Sequence, residues 1–221
     1  MKSSTENLLV CSTAGKVIAI NKKDGTRVWK TKLSGVESGV GALFVFDNKV
    51  YVGMNGYLIA LNLADGTVIW NNPLSTMWWS EVSVIVTGTN SNSNASSYKS
   101  QGSVVLVGSF GKVCGIDPDL GGTLWKNELK GAGFKLPCLM LDSSAPDAVL
   151  VGCGKRLYKI NIYNGQTIWE HKLSNVLLAP SCVTMATQQS SLQAAFTYTG
   201  FNNNPIAQQH KRREREKNSG D

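Results

Sequence analysis

Short apolar runs separated by turn residues recur along most of this chain. The clearest set lies between residues 40 and 75. Residues 40–47 (VGALFVFD) are apolar and end at Asn48, which turns the chain into 49–53 (KVYVG). A Met-Asn-Gly turn leads to 57–62 (YLIALN), and Ala64-Asp65-Gly66 leads into 67–71 (TVIWN). Runs of this length, rich in β-branched and aromatic residues and bounded by Gly and Asn, are strands. Asp-Gly between two of them signals a hairpin, because Gly accepts the positive φ that tight turns need. The pattern therefore predicts four strands, A to D, joined by hairpins. It returns as 80–87, 103–107, 112–117 and 123–127, and again as 135–142, 148–151, 156–161 and 167–171. At the N-terminus, 7–11 already matches strand B, so the first unit lacks its own strand A. Residues 179–187 (APSCVTMAT) have strand-A character, and 192–199 (LQAAFTYT) can form one more strand.

The same units appear as a sequence repeat. Residues 15–29 (GKVIAINKKDGTRVW) return as 56–70 (GYLIALNLADGTVIW), 111–125 (GKVCGIDPDLGGTLW) and 155–169 (KRLYKINIYNGQTIW). Their tryptophans, Trp29, Trp70, Trp125 and Trp169, are spaced by 41, 55 and 44 residues. The long step holds 90–101 (NSNSNASSYKSQ), a polar low-complexity insert expected to form a loop. Without it the period is about 43 residues, the length of one four-stranded propeller blade. The expected fold is thus an all-β propeller of four-stranded antiparallel blades, with four blades plus a partial fifth or C-terminal closing strands. Strand A lies nearest the axis. Ring closure would remove exposed edges, but strand counting alone leaves a closed ring and an open arc both standing. The propeller is expected over 1–200, with repeats near 8–35, 49–75, 104–131 and 148–174, followed by a charged tail over 201–221.

Composition narrows the chemistry. The 221 residues carry a formal charge of +7, with 42% hydrophobic and 17% charged residues, an ordinary folded composition somewhat poor in surface charge. No run approaches the ~20 apolar residues of a membrane helix, and Glu6 and Asn7 interrupt any secretory-type apolar core. The expected location is cytoplasmic, with the basic tail residues Lys211, Arg212 and Arg213 leaving nuclear import open. Glu214 and Glu216 dilute that basic run, which favours a solubilising terminus over a nucleic-acid patch. Five cysteines are scattered singly (Cys11, Cys114, Cys138, Cys153 and Cys182) and there are two histidines. No zinc-ligand spacing results, and the thiols are read as small buried groups. The nucleophile-elbow, phosphate-loop and HExxH patterns are also absent. In Asp117-Pro-Asp119, turn chemistry accounts for the acidic residues.

The four copies share a frame: a small residue, then Asn or Asp, then Gly, then Trp. The frame residues are Ala19, Asn21, Gly25 and Trp29; Ala60, Asn62, Gly66 and Trp70; Gly115, Asp117, Gly121 and Trp125; and Lys159, Asn161, Gly165 and Trp169. This resembles the tryptophan-docking repeat of the PQQ-like, or quinoprotein alcohol dehydrogenase-like, β-propellers. Two departures are Lys159 at the small position and Leu120 where the other copies have Asp or Asn. The resemblance implies that each Trp packs between adjacent blades while the Gly shapes the turn. Family dehydrogenases hold their quinone between a tryptophan and a vicinal disulfide, with an ion on Glu, Asn and Asp. This chain has no adjacent cysteines, so no cofactor is expected and PQQ enters only by the family's name. Other members act through protein contacts. The expectation is a non-catalytic interaction or scaffold module with a protein partner, or with edge pairing or dimerisation if the ring is open. The alternative is a small-ligand binder or quinone-dependent oxidoreductase using the axial mouth.

In such a fold the D–A and B–C loops gather on one face. Trp78 and Trp79, just before a strand A, are adjacent indoles that point to opposite sides of a strand. One can serve as a stacking platform, with Glu81 and Lys135 as polar contacts; inter-blade packing is the competing reading. Glu37, Asn55, Phe110, Phe134, Lys155 and Arg156 are expected on the same face. No catalytic and no metal-ligating residue is assigned.

Overall fold

The computed structural model describes residues 5–36, 41–75, 81–88, 102–142, 144–173 and 183–188. The 90–101 insert, 179–182, the 192–199 strand and the tail lie outside the described residues. Among the described residues, after a single 3-10 turn (Thr5–Asn7), all regular structure is β. One three-stranded sheet contains β1 (Leu8–Thr13), β2 (Lys16–Asn21) and β3 (Arg27–Lys32). Three four-stranded sheets come after it. The second blade is β4 (Ala42–Phe46), β5 (Lys49–Met54), β6 (Tyr57–Asn62) and β7 (Val68–Pro73). The third is β8 (Ser83–Val86), β9 (Val105–Ser109), β10 (Lys112–Ile116) and β11 (Thr123–Glu128). The fourth is β12 (Cys138–Leu141), β13 (Ala148–Cys153), β14 (Arg156–Asn161) and β15 (Thr167–Lys172). Every pairing is antiparallel and joins strands consecutive in sequence.

The inner strands meet one another: β1 lies by β4, β4 by β8, and β8 by β12. This is the expected radial order, with the A strands toward the axis. The first blade holds only B, C and D among the described residues. Residues 183–187 run beside β12 and β13, where a further strand A would lie. Val183 is packed over Gly152, and the Met185 backbone hydrogen-bonds the Cys138 thiol. No strand pairing is assigned to them among the described residues.

The inner strands β4, β8 and β12 are shorter than their apolar runs suggest, and β9 is shifted by two residues from 103–107. The backbone explains the shortening at β12. Lys135 gives its carbonyl to the Gly111 N–H at 2.7 Å, and Pro137 gives its carbonyl to Ser83 Oγ at 2.8 Å. These groups serve the neighbouring blade, so the ladder starts only at Cys138. At β9, Val104 bonds instead to the hydroxyl and N–H of Thr87, both through distances below 3.0 Å.

Hydrophobic burial is concentrated between blades. Val17, Ala19, Trp29 and Leu33 of the first blade meet Val50, Val52, Ile59 and Leu61 of the second. Tyr51, Leu58 and Ala60 meet Val84, Val105, Cys114 and Ile116 of the third. Leu106, Val113 and Trp125 meet Val149, Val151, Tyr158 and Ile160 of the fourth. Full burial of such side chains contributes about 1.5–3 kcal/mol each, so the joints between blades carry the stability of the array.

Candidate functional site

Each joint is built from two halves. The C–D turn of one blade supplies a glycine, and the D strand of the preceding blade supplies a tryptophan. In the second blade, the Asn62 side chain accepts the Ala64 N–H at 2.8 Å, its carbonyl accepts the Gly66 N–H at 2.8 Å, and Asp65 accepts both the N–H and the hydroxyl of Thr67. These Asx bonds fix the turn and hold Gly66 at φ +74°, a region where Gly carries no steric penalty. The Trp29 ring lies flat against that glycine, leaving no space for a Cβ. Its Nε1–H donates to Leu63 O at 2.9 Å. Trp70 covers Gly121 and donates to Pro118 O at 3.2 Å, and Trp125 covers Gly165 and donates to Ile162 O at 2.8 Å. A polar side chain two residues after each Trp completes the joint: Thr31 to Gly66 O, Asn72 to Gly121 O and Asn127 to Gly165 O, each at 2.6 Å.

The small frame residue has its reason here. Ala19, Ala60 and Gly115 are the cross-strand partners of Trp29, Trp70 and Trp125, each beside a β-bulge. At Gly115 even a Cβ would overlap the Trp125 indole. The fourth blade departs from this geometry. Lys159 faces Trp169 and reaches Asp142 at 3.3 Å, while Trp169 is 42% exposed. At the other end, Gly25 has its Asx turn and φ of +73° but open space above it. Among the described residues, Trp169 and Gly25 are therefore two undocked halves of the joint.

A second cluster forms on the D–A and B–C loop face. The Phe110-Gly111 turn joins β9 to β10 with both residues at positive φ, +49° and +71°. Ala14-Gly15 and Asn55-Gly56 make the same turn. Asn tolerates that region, whereas a bulky aromatic rarely enters it. The Phe110 ring stacks on Phe134 with centroids 4.6 Å apart, and the two are 36% and 75% exposed. Glu81 and Lys135 flank this turn through their backbones. Ser109 Oγ donates to Glu81 O at 2.6 Å, and Gly111 N–H donates to Lys135 O. Nearby, Arg156 lies against Gly131 and pairs with Glu170 at 3.1 Å. The Tyr158 hydroxyl donates to Lys130 O, and burial pushes its pKa up to about 12. Trp78, Trp79 and Glu37 lie outside the described residues. The Glu81 and Lys135 carbonyls thus hold the two residues that flank Phe110 in sequence; Phe110 in a turn position that favours Asn or Gly is the sequence signal for the phenylalanine pair.

Among the described residues no two cysteines form an adjacent pair. Cys11, Cys114, Cys138 and Cys153 are free thiols on separate strands, and burial raises the Cys114 pKa to about 11. Among the described residues no three His, Cys, Asp or Glu side chains gather into a set that could hold a metal ion. Asp117 instead caps its own turn by accepting the N–H groups of Asp119 and Leu120, and Asp119 pairs with Lys49.

Radial blades of four antiparallel strands, joined through a Trp-on-Gly dock, define a β-propeller. A family profile described as outer membrane protein assembly factor BamB matches residues 14–177. The chain belongs to this PQQ-like β-propeller family. Among solved structures it is similar to the quinohemoprotein alcohol dehydrogenase of Comamonas testosteroni, at 15% identity and a TM-score of 0.57, over 75% of this chain and 33% of that one. It is similar to the computationally designed Ika8 protein at 17% identity and a TM-score of 0.54, over 75% and 46%. It also matches BamB from Moraxella catarrhalis at 20% identity and a TM-score of 0.48, over 78% and 49%. These are likenesses of fold, and the chain spans about a third to a half of those structures' length. No curated protein matches the chain significantly in sequence.

Proposed function

We propose that this chain is a propeller interaction module that binds a protein partner through its D–A and B–C loop face. The observation that carries the reading is the Phe110–Phe134 pair. Phe110 is held at φ +49° with its ring stacked on Phe134, and both rings face solvent. A left-handed conformation costs a non-glycine residue about 1–2 kcal/mol, and backbone strain of this kind concentrates at functional positions. Rigid aromatics on a loop face are effective anchors because they bury large area with few rotors to order. Membership of a family described by a membrane-protein assembly factor supports a role through protein contacts.

The test compares quantitative affinity isolation from native cells using the unaltered chain, Phe134→Ser and Phe110→Asn. The expected result is that specifically captured proteins fall at least ~10-fold with either variant, while thermal midpoints stay within a few degrees. Capture of the same proteins at the same level by both variants would overturn the loop face as the binding surface.

A further inference from the structure

The two ends of the blade array are complementary in three separate respects. The first is the dock itself. Trp169 projects from the D strand of the fourth blade with 42% exposure, and His171 stands two residues on, the position from which Thr31, Asn72 and Asn127 bond the next turn. Gly25, at the far end, presents the matching turn with nothing within 4 Å of where a Cβ would stand. The second respect is the apolar face beside each half. Val50, Val52, Ile59 and Leu61 of the second blade are buried to 2% exposure or less against the first blade. Their counterparts one repeat earlier are Leu9, Cys11, Ile18 and Ile20, equally apolar, yet Leu9 is 54% exposed and the other three are half-buried. The third is a strand. The first sheet begins at strand B and leaves the β1 edge unpaired among the described residues, while 183–187 lie in a strand-A position beyond the fourth blade.

We infer that two copies of this chain associate head to tail, Trp169 of each docking on the Gly25 turn of the other. Residues 183–187 of one copy then supply the innermost strand of the other's first sheet. The interface continues a joint that the chain already forms three times, at Trp29, Trp70 and Trp125, so its geometry is set by the fold. A heterologous contact either closes into a ring or extends without limit. Among the described residues each copy has one free half of each kind, and pairing two copies fills both. Pairing β1 with an incoming strand also removes an exposed sheet edge. This association uses the blade ends, so its failure would leave the loop-face reading untouched.

Sedimentation equilibrium of the full chain, from about 1 to 100 µM, tests the inference. A species of twice the 23.8 kDa chain mass is expected. Trp169→Ala removes one half of the dock, and Gly25→Asn blocks the other, since Asn tolerates positive φ. Each variant alone should dissociate at least ~30-fold more readily, with circular dichroism unchanged. Mixing the two should restore a heterodimer, because each retains the half that the other lacks. A monomer at every concentration, a dimer indifferent to both substitutions, or polymers without a dominant dimer would overturn the inference. So would a monomer whose melting falls with Trp169→Ala, which marks closure within one chain.

Discussion

Trp125 and Trp169 occupy the same place in consecutive blades and differ in almost everything else. Trp125 is 9% exposed, covers Gly165 and donates to Ile162 O. Trp169 is 42% exposed on a strand whose six residues are all exposed. The repeat supplies the indole in both cases, but the next blade supplies its environment. A docking tryptophan is thus half of an interaction, and its energetic weight is set by a turn some 34–48 residues further along. Gly25 and Gly165 give the converse comparison, one turn with open space above it and one capped by an indole.

The largest predicted contrast is between the two tryptophans. Trp125→Ala should destabilise the fold by ~3–5 kcal/mol, as expected for a large core-to-Ala truncation. Trp169→Ala, introduced in a Gly25→Asn background so that no second copy can dock, should change stability by less than ~1 kcal/mol. Urea titrations of both measure this directly, and equal losses would erase the distinction between filled and open joints.

The glycines sharpen the same comparison at smaller scale. Gly165→Ala places a methyl group into the Trp125 indole at φ +72°, an overpacking plus left-handed strain of roughly 2–4 kcal/mol. Gly25→Ala, introduced in a Trp169→Ala background so that no indole docks on it, incurs only the conformational part, about 1 kcal/mol. Thermal melts that rank Gly25→Ala as the more damaging would contradict the docking scheme.

The smallest effect concerns acid. Hydrogen bonds from the Thr26 hydroxyl and N–H lower the Asp24 pKa below 3.8, and the Thr67 N–H and hydroxyl do the same for Asp65. Because the folded values are depressed, this contribution is present above pH ~4 and is lost as pH falls through the lowered values. In a Trp169→Ala background, where no second copy docks, the Asp65 turn carries the Trp29 dock and the Asp24 turn carries none. Asp65→Ala should therefore lower the melting temperature at neutral pH and flatten its fall below pH 4 more than Asp24→Ala does. Indistinguishable pH profiles for the two variants would separate turn chemistry from docking.

Most of the fold was legible in the sequence, because the Asx-Gly turn, the Trp and the strand lengths are local signals repeated at a fixed period. The bounds of β6 and β14 coincide with their apolar runs. Strand A was least legible: at β12 and β8 the flanking backbone bonds across to other turns, which no local pattern records. The site was legible only in part. Phe110 sits where Asn55 sits one blade earlier, a visible oddity, but its stack on Phe134 depends on the 129–137 connection folding back. Lys159 in the small-residue position hinted that the fourth joint differs. Whether an indole-covering turn reaches Trp169 is decided outside its own blade, and the residues around Trp169 do not encode it.

Hydrogen exchange at the indole N–H groups tests the central claim most directly. In the Gly25→Asn variant, with signals assigned by single Trp→Phe replacements, Trp29, Trp70 and Trp125 should exchange slowly, since each is held by a carbonyl of the next blade. Trp169 should exchange at the rate of a solvent-exposed indole. Slow exchange at Trp169 equal to the other three, or fast exchange at Trp125, would contradict the account of filled and open joints.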